Sequence, residues 1–136
     1  MDKKKLLTPG DPKDAMNYFK EKISFTTGPV EVKSFQDTGE DFVFVDVREE
    51  EDFAKGHPAG AINLPKAKWN TFEGLQKDKV NILLCYSAVC HLAAKAAVKF
   101  ASQGYPVMEM DGGFEAWQEN NMPVETGAAP AERKSA

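Results

Sequence analysis

Val80-Asn81-Ile82-Leu83-Leu84-Cys85-Tyr86-Ser87-Ala88-Val89-Cys90-His91 runs from an apolar stretch into a cysteine, then a short loop, a second cysteine and a histidine. The alanine-rich pattern that follows, with Leu92, Ala96 and Phe100 on one side, is that of an amphipathic helix over roughly 91–103, closed by Gly104. The stretch therefore reads as buried strand, loop, helix. The only two cysteines of the chain sit at this one junction. Backbone N–H groups of the loop and the positive end of the helix dipole favour a thiolate there, and the thiolate is the reactive form.

The same alternation extends in both directions. Phe42-Val43-Phe44-Val45 is a continuous apolar run, the mark of a strand buried on both faces of a parallel sheet. Asp46-Val47-Arg48 follows it, and Glu49 to Asp52 reads as a solvated helical turn. Ala61-Ile62-Asn63-Leu64 is a short strand stopped by Pro65, and Pro106 to Met110 a further strand, followed by the Asp111-Gly112-Gly113 turn. Asp11-Pro12 starts a helix over roughly 12–23, with Ala15, Met16, Phe19 and Ile23 at helical spacing. Phe25-Thr26-Thr27 is a short edge strand, and a second helix from Pro29 carries Val30 and Phe35 on its apolar face. Trp69, Phe72 and Leu75 are spaced as one helical face within 66–79, and Phe114 and Trp117 begin a last helix. Alternating strands and helices predict an α/β domain with a mostly parallel sheet. Its carboxyl edge collects Asp46 and Arg48, the loop 85–91, and Asp111 to Gly113, and open α/β sheets bind ligands at that edge.

The chain of 136 residues is one domain in size, with ordinary hydrophobic (42%) and charged (28%) content. Its net charge of -4 argues against a nucleic-acid binder. No run approaches the roughly 20 apolar residues needed to span a bilayer, so no membrane partner is expected. The lysine-rich start lacks the apolar segment of a secretory signal, which makes a cytoplasmic location, with reduced thiols, the expectation.

Cys85 reads as a nucleophile or as a buried, inert thiol. Cys90 reads as a second thiol that resolves an oxidised or persulfidated Cys85, as the nucleophile itself, or as packing beneath the loop. His91 is a cation beside a thiolate or a cap. Tyr86, Ser87, Ala88 and Val89 form the rest of the cradle. Asp46 and Arg48 read as a supporting pair that holds the edge in shape. No metal is expected, because no recognisable ligand spacing joins the two histidines to the cysteines and acids.

Phe42 to Arg48, Gly56-His57-Pro58-Ala59-Gly60-Ala61-Ile62-Asn63-Leu64-Pro65, Leu83-Leu84-Cys85, and Gly104-Tyr105-Pro106-Val107 through Asp111-Gly112-Gly113-Phe114-Glu115-Ala116-Trp117 resemble a single-domain rhodanese. The resemblance implies a five-stranded sheet flanked by helices on both faces, and places a rhodanese-like domain at 25–124. A lead and extra helix over 1–24 precede it, and a disordered tail over 125–136 follows. It implies sulfurtransferase activity: a cysteine, matched by Cys85, takes sulfane sulfur from a small donor and passes it to a thiol or protein acceptor, with no cofactor. The loop departs from the family's Cys-x-x-Gly-x-Arg-Ser. Ala88, Cys90 and His91 replace glycine, arginine and serine, and Gly104 arrives two residues late. Without the arginine, thiosulfate loses its fixed cation. His91 also stands where related phosphatases need an arginine, which argues against phosphoryl chemistry. The same departures support an alternative: a non-catalytic or redox-sensing module that uses the Cys85/Cys90 pair.

Overall fold

The computed structural model describes residues 7–128. Its elements in chain order are α1 (Pro12–Phe25), β1 (Thr26–Thr27), α2 (Pro29–Asp37), β2 (Phe42–Asp46), α3 (Glu50–Lys55), β3 (His57–Pro58), β4 (Ile62–Asn63), a 3₁₀ helix (Lys66–Thr71), β5 (Val80–Leu84), α4 (Leu92–Ser102), β6 (Val107–Met110), α5 (Gly113–Glu119) and β7 (Val124–Glu125). Five strands form one sheet in the order β1-β6-β5-β2-β4, and every neighbouring pair is parallel. The register sets Asp46 beside both Leu84 and Asn63, so β2, β4 and β5 end together. The α/β fold and five-stranded sheet are those expected from the sequence.

Two apolar layers cover the two sheet faces. Val45, Leu83, Trp69, Ala93, Ala96 and Phe100 pack on one side, beneath α4 and the 3₁₀ helix. Phe44, Ile82, Leu84, Val32, Phe53 and Trp117 pack on the other, beneath α2, α3 and α5. Alternate residues of β2 and β5 thus feed opposite layers, as the period of a strand requires. Each large side chain fully removed from water contributes about 1.5–3 kcal/mol.

The structure corrects several local expectations. In α2 the fully buried residue is Val32, whereas Val30 is exposed, because the helix turns a different face to the sheet. The segment 66–79 is not a continuous helix. Its 3₁₀ helix stops at Phe72 in a left-handed conformation, and Trp69 and Leu75 reach the core from separate turns. In α1 the apolar positions are not buried: Phe19, Ile23 and Phe25 are all more than half exposed, because the helix flanks β6 at the sheet margin, outside both layers. Of the expected lead and tail, residues 1–6 and 129–136 lie outside the described residues. The remainder of the tail is tied down. β7 pairs antiparallel with β3, and the Gly127 N–H donates to the Ala54 carbonyl.

Candidate functional site

Cys85 follows β5 directly, at the carboxyl edge of the sheet. Its carbonyl accepts from the Phe114 N–H at 2.8 Å, and the Tyr86 carbonyl accepts from the Glu115 N–H at 3.0 Å. The start of α5 therefore clamps the first two residues of the loop. Gly113 makes this approach possible. A Cβ there would lie 2.5 Å from the Cys85 carbonyl oxygen and 2.7 Å from the Ser87 nitrogen. The far end of the loop closes through a turn in which the Cys90 N–H donates to the Ser87 carbonyl, and α4 begins at Leu92.

The two thiols occupy different environments. Cys85 is 2% exposed, and its thiol donates to the Cys90 carbonyl at 3.5 Å. Burial pushes it up to about 11, and contact with Cys90 adds to that, against the pull of the Ala93 and Ser87 amides. The loop and helix start were expected to ionise this thiol, but desolvation of a sulfur shut inside the fold outweighs them. Cys90 is partly exposed. Burial raises it too, but backbone amides of Leu92 and Tyr86 and the Cys85 thiol outweigh this and draw it below the ordinary thiol value. The Leu92 N–H lies 3.5 Å from its sulfur.

Cys90 lines a pocket of ≈ 400 Å³ together with Ser87, Ala88, His91, Lys22, Glu109, Asp111 and Gly112. Of the expected site residues, Ser87, Ala88, Cys90 and His91 open onto it. Val89 stands at the loop tip, 87% exposed. Tyr86 turns away towards α3, where its hydroxyl donates to Asp52 at 2.5 Å and accepts from the Glu49 N–H at 3.3 Å. Burial and the Asp52 carboxylate push that phenol up to about 12.

Asp111, expected at this edge, is joined there by two pocket residues that were not foreseen, Glu109 and Lys22. Glu109 lies in β6 and Asp111 directly follows it, and β6 neighbours β5, so the strand order carries their position. Burial, then the Asp111 charge, holds the Glu109 carboxyl above its usual range, and His91 partly offsets this. Lys22 arrives from α1.

Asp46 and Arg48 form a buried pair beside the loop. The Arg48 Nε and Nη2 donate to the Asp46 carboxylate at 3.0 and 2.8 Å, and Nη2 also donates to the Gly56 carbonyl at 2.6 Å. The guanidinium lies over the Phe114 ring, 4.2 Å from its centre, and 5.6 Å from that of Tyr86. It thus touches both the loop and the helix that clamps it. Arg48 does not line the pocket of Cys90 and so does not replace the missing loop arginine there.

A parallel five-stranded sheet with a cysteine loop at its carboxyl edge defines a class, and the comparisons agree with it. The model of the rhodanese-like domain matches residues 29–120, and the chain belongs to that family. The thiosulfate sulfurtransferase GlpE of Haemophilus influenzae is 35% identical over 86 residues, covering 62% of this chain and 80% of that protein. The probable adenylyltransferase/sulfurtransferase MoeZ of Mycobacterium tuberculosis is 34% identical over 101 residues, covering 72% of this chain and 26% of that protein. Among solved structures, the BH2092 protein of Bacillus halodurans superposes with a TM-score of 0.79 at 35% identity, covering 85% of this chain and 87% of that one. A rhodanese-like domain protein of Staphylococcus aureus has the same fold, with a TM-score of 0.65, 20% identity, and coverage of 75% and 99%. Among the described residues no helix is long and apolar enough to cross a membrane.

Proposed function

We propose that the protein is a sulfurtransferase that carries sulfane sulfur as a persulfide on the loop 85–91, with Cys90 as the thiol that meets the donor. The observation that carries this reading is the unequal exposure of two neighbouring cysteines, the Cys85 sulfur lying 3.5 Å from the Cys90 carbonyl oxygen: Cys90 opens onto the pocket, and Cys85 does not line it. The Cys90 thiolate attacks the sulfane sulfur, the donor's remaining portion leaves, and the persulfide faces the pocket for transfer to a thiol or protein acceptor. Lys22 and His91 are the basic groups on the wall, opposed by Glu109 and Asp111. A dianion such as thiosulfate is therefore held weakly, and a small organic persulfide is the better fitted donor. The Asp46–Arg48 pair supports the loop without reacting.

The pH dependence of the first step tests this assignment. Thiosulfate does not titrate across the thiol range, so single-turnover sulfite release at saturating thiosulfate reads the ionisation of the attacking group. The rate is expected to rise with pH and reach half its plateau below the ordinary thiol value, where Cys90 ionises. A half-point near 11 would assign the attack to Cys85 instead. No sulfite at any pH, with an organic persulfide inactive as well, would favour the redox-sensing module, a reading supported by the paired thiols and the lost arginine.

A further inference from the structure

Transfer through a single persulfide makes no use of a second thiol held against the backbone of the first. Cys85 is not a solvent-exposed neighbour. It is fixed at the end of β5 by the clamp from α5, it is closed off from the pocket, and its S–H points at the backbone of Cys90 itself. The Ser87–Cys90 turn, by contrast, is the part of the loop that carries Cys90 into the pocket. The arrangement sets an outward sulfur that acquires a load above an inward sulfur that no external donor reaches.

We propose that the loop resolves its own persulfide, so that the protein reduces sulfane sulfur to sulfide. The proposal rests on the reading that Cys90 takes up the sulfur. The Cys85 sulfur attacks the inner sulfur of the Cys90 persulfide. A Cys85–Cys90 disulfide bond forms, the bond from the Cys90 sulfur to the outer sulfur breaks, and the outer sulfur leaves as hydrosulfide. The proton that Cys85 loses goes to that leaving group, giving hydrogen sulfide. Two thiol sulfurs are oxidised to a disulfide, and one sulfane sulfur gains the two electrons. A dithiol reductant then restores both thiols for a second cycle. Burial keeps Cys85 protonated and out of competition for the donor, and it attacks as the thiolate once its proton has passed to the outer sulfur of the Cys90 persulfide.

The test uses the full chain, anaerobically, with saturating thiosulfate or, in parallel, a small organic persulfide, and no acceptor. Sulfide is trapped as it forms, and intact mass is read without reductant. Wild type is expected to release about one sulfide per chain and to end about 2 Da lighter, as the disulfide requires. Cys85→Ser and Cys85→Ala are expected to release none and to retain a sulfur of about 32 Da on Cys90, since nothing displaces it. Two variants are used because a buried hydroxyl and a small cavity perturb folding differently. In the Cys85 variants sulfide should appear only once a dithiol is added and itself takes the sulfur from Cys90, whereas in wild type it appears before any dithiol is present. Wild type that keeps the added sulfur and releases no sulfide would overturn the internal resolution while leaving the persulfide reading intact. Absence of both adduct and sulfide in wild type and both Cys85 variants would overturn the two together.

Discussion

Replacement of Arg48 by alanine should lower the stability of the fold by about 3–5 kcal/mol, the cost of leaving one charge of a buried pair without its partner. Arg48 is 3% exposed and Asp46 is fully buried. The guanidinium is also the donor to the Gly56 carbonyl and lies on the Phe114 ring, so its removal strands a carboxylate, a carbonyl and an aromatic face together. Burial already pushes the Asp46 carboxyl up, with the Arg48 hydrogen bond and charge pulling against it. Without Arg48 the carboxyl must take up a proton or remain unpaired. Equilibrium unfolding in urea should show a lower midpoint with an unchanged slope, and a melting temperature lower by roughly 10 °C. The double variant Asp46→Asn with Arg48→Met should recover part of the loss, since it removes the stranded charge. A loss under about 1 kcal/mol for Arg48→Ala would mean that the pair is effectively solvated.

The second large effect is on the loop itself. Gly113 has φ 60°, and an added Cβ would meet the Cys85 oxygen, the Ser87 nitrogen and, at 2.8 Å, the Tyr86 carbonyl carbon. All three are backbone atoms, so no side chain can swing aside. Gly113→Ala must displace the loop or α5, and a displacement of about 1 Å at a reacting group costs about 10²-fold in rate. Gly104→Ala is the matched control. Its φ is 89°, yet no atom lies within 4 Å of the added carbon. It therefore carries the left-handed backbone strain of about 1–2 kcal/mol without touching the loop. Single-turnover sulfur uptake should fall about 10²-fold in Gly113→Ala and stay near wild type in Gly104→Ala. Equal rates in the two variants would show that the clamp does not set the geometry of the thiols.

Much of this is legible from local pattern. The runs Phe42–Val45 and Val80–Leu84 are strongly apolar and end at polar residues, so both central strands and their carboxyl edge can be read directly. Two-residue strands are another matter. Thr26–Thr27 reads as an edge strand, but β3 and β7 are held by each other across the fold, and no local pattern announces the pairing of His57 with Glu125. The exchange of Val30 for Val32 has the same source, since helical spacing predicts that one face is buried and only packing selects which. At the site, both cysteines are visible in the sequence but their difference is not. Ionisation of Cys85 depends on how completely the core encloses its sulfur, a tertiary quantity. Asp111 is read at the carboxyl edge from its place after a strand, and Glu109 follows in principle from β6 lying beside β5. Lys22 does not, because it comes from a helix outside the residues matched by the family model.

Peptide-level mass spectrometry after brief exposure to a sulfane donor, with free thiols blocked at the moment of quenching, distinguishes which thiol is loaded first. In Cys85→Ala, where the load cannot move on, an added sulfur of about 32 Da is expected on Cys90. In Cys90→Ser none is expected on Cys85 within the same interval. Rapid and complete loading of Cys85 in Cys90→Ser would contradict the assignment of Cys90 as the thiol that meets the donor.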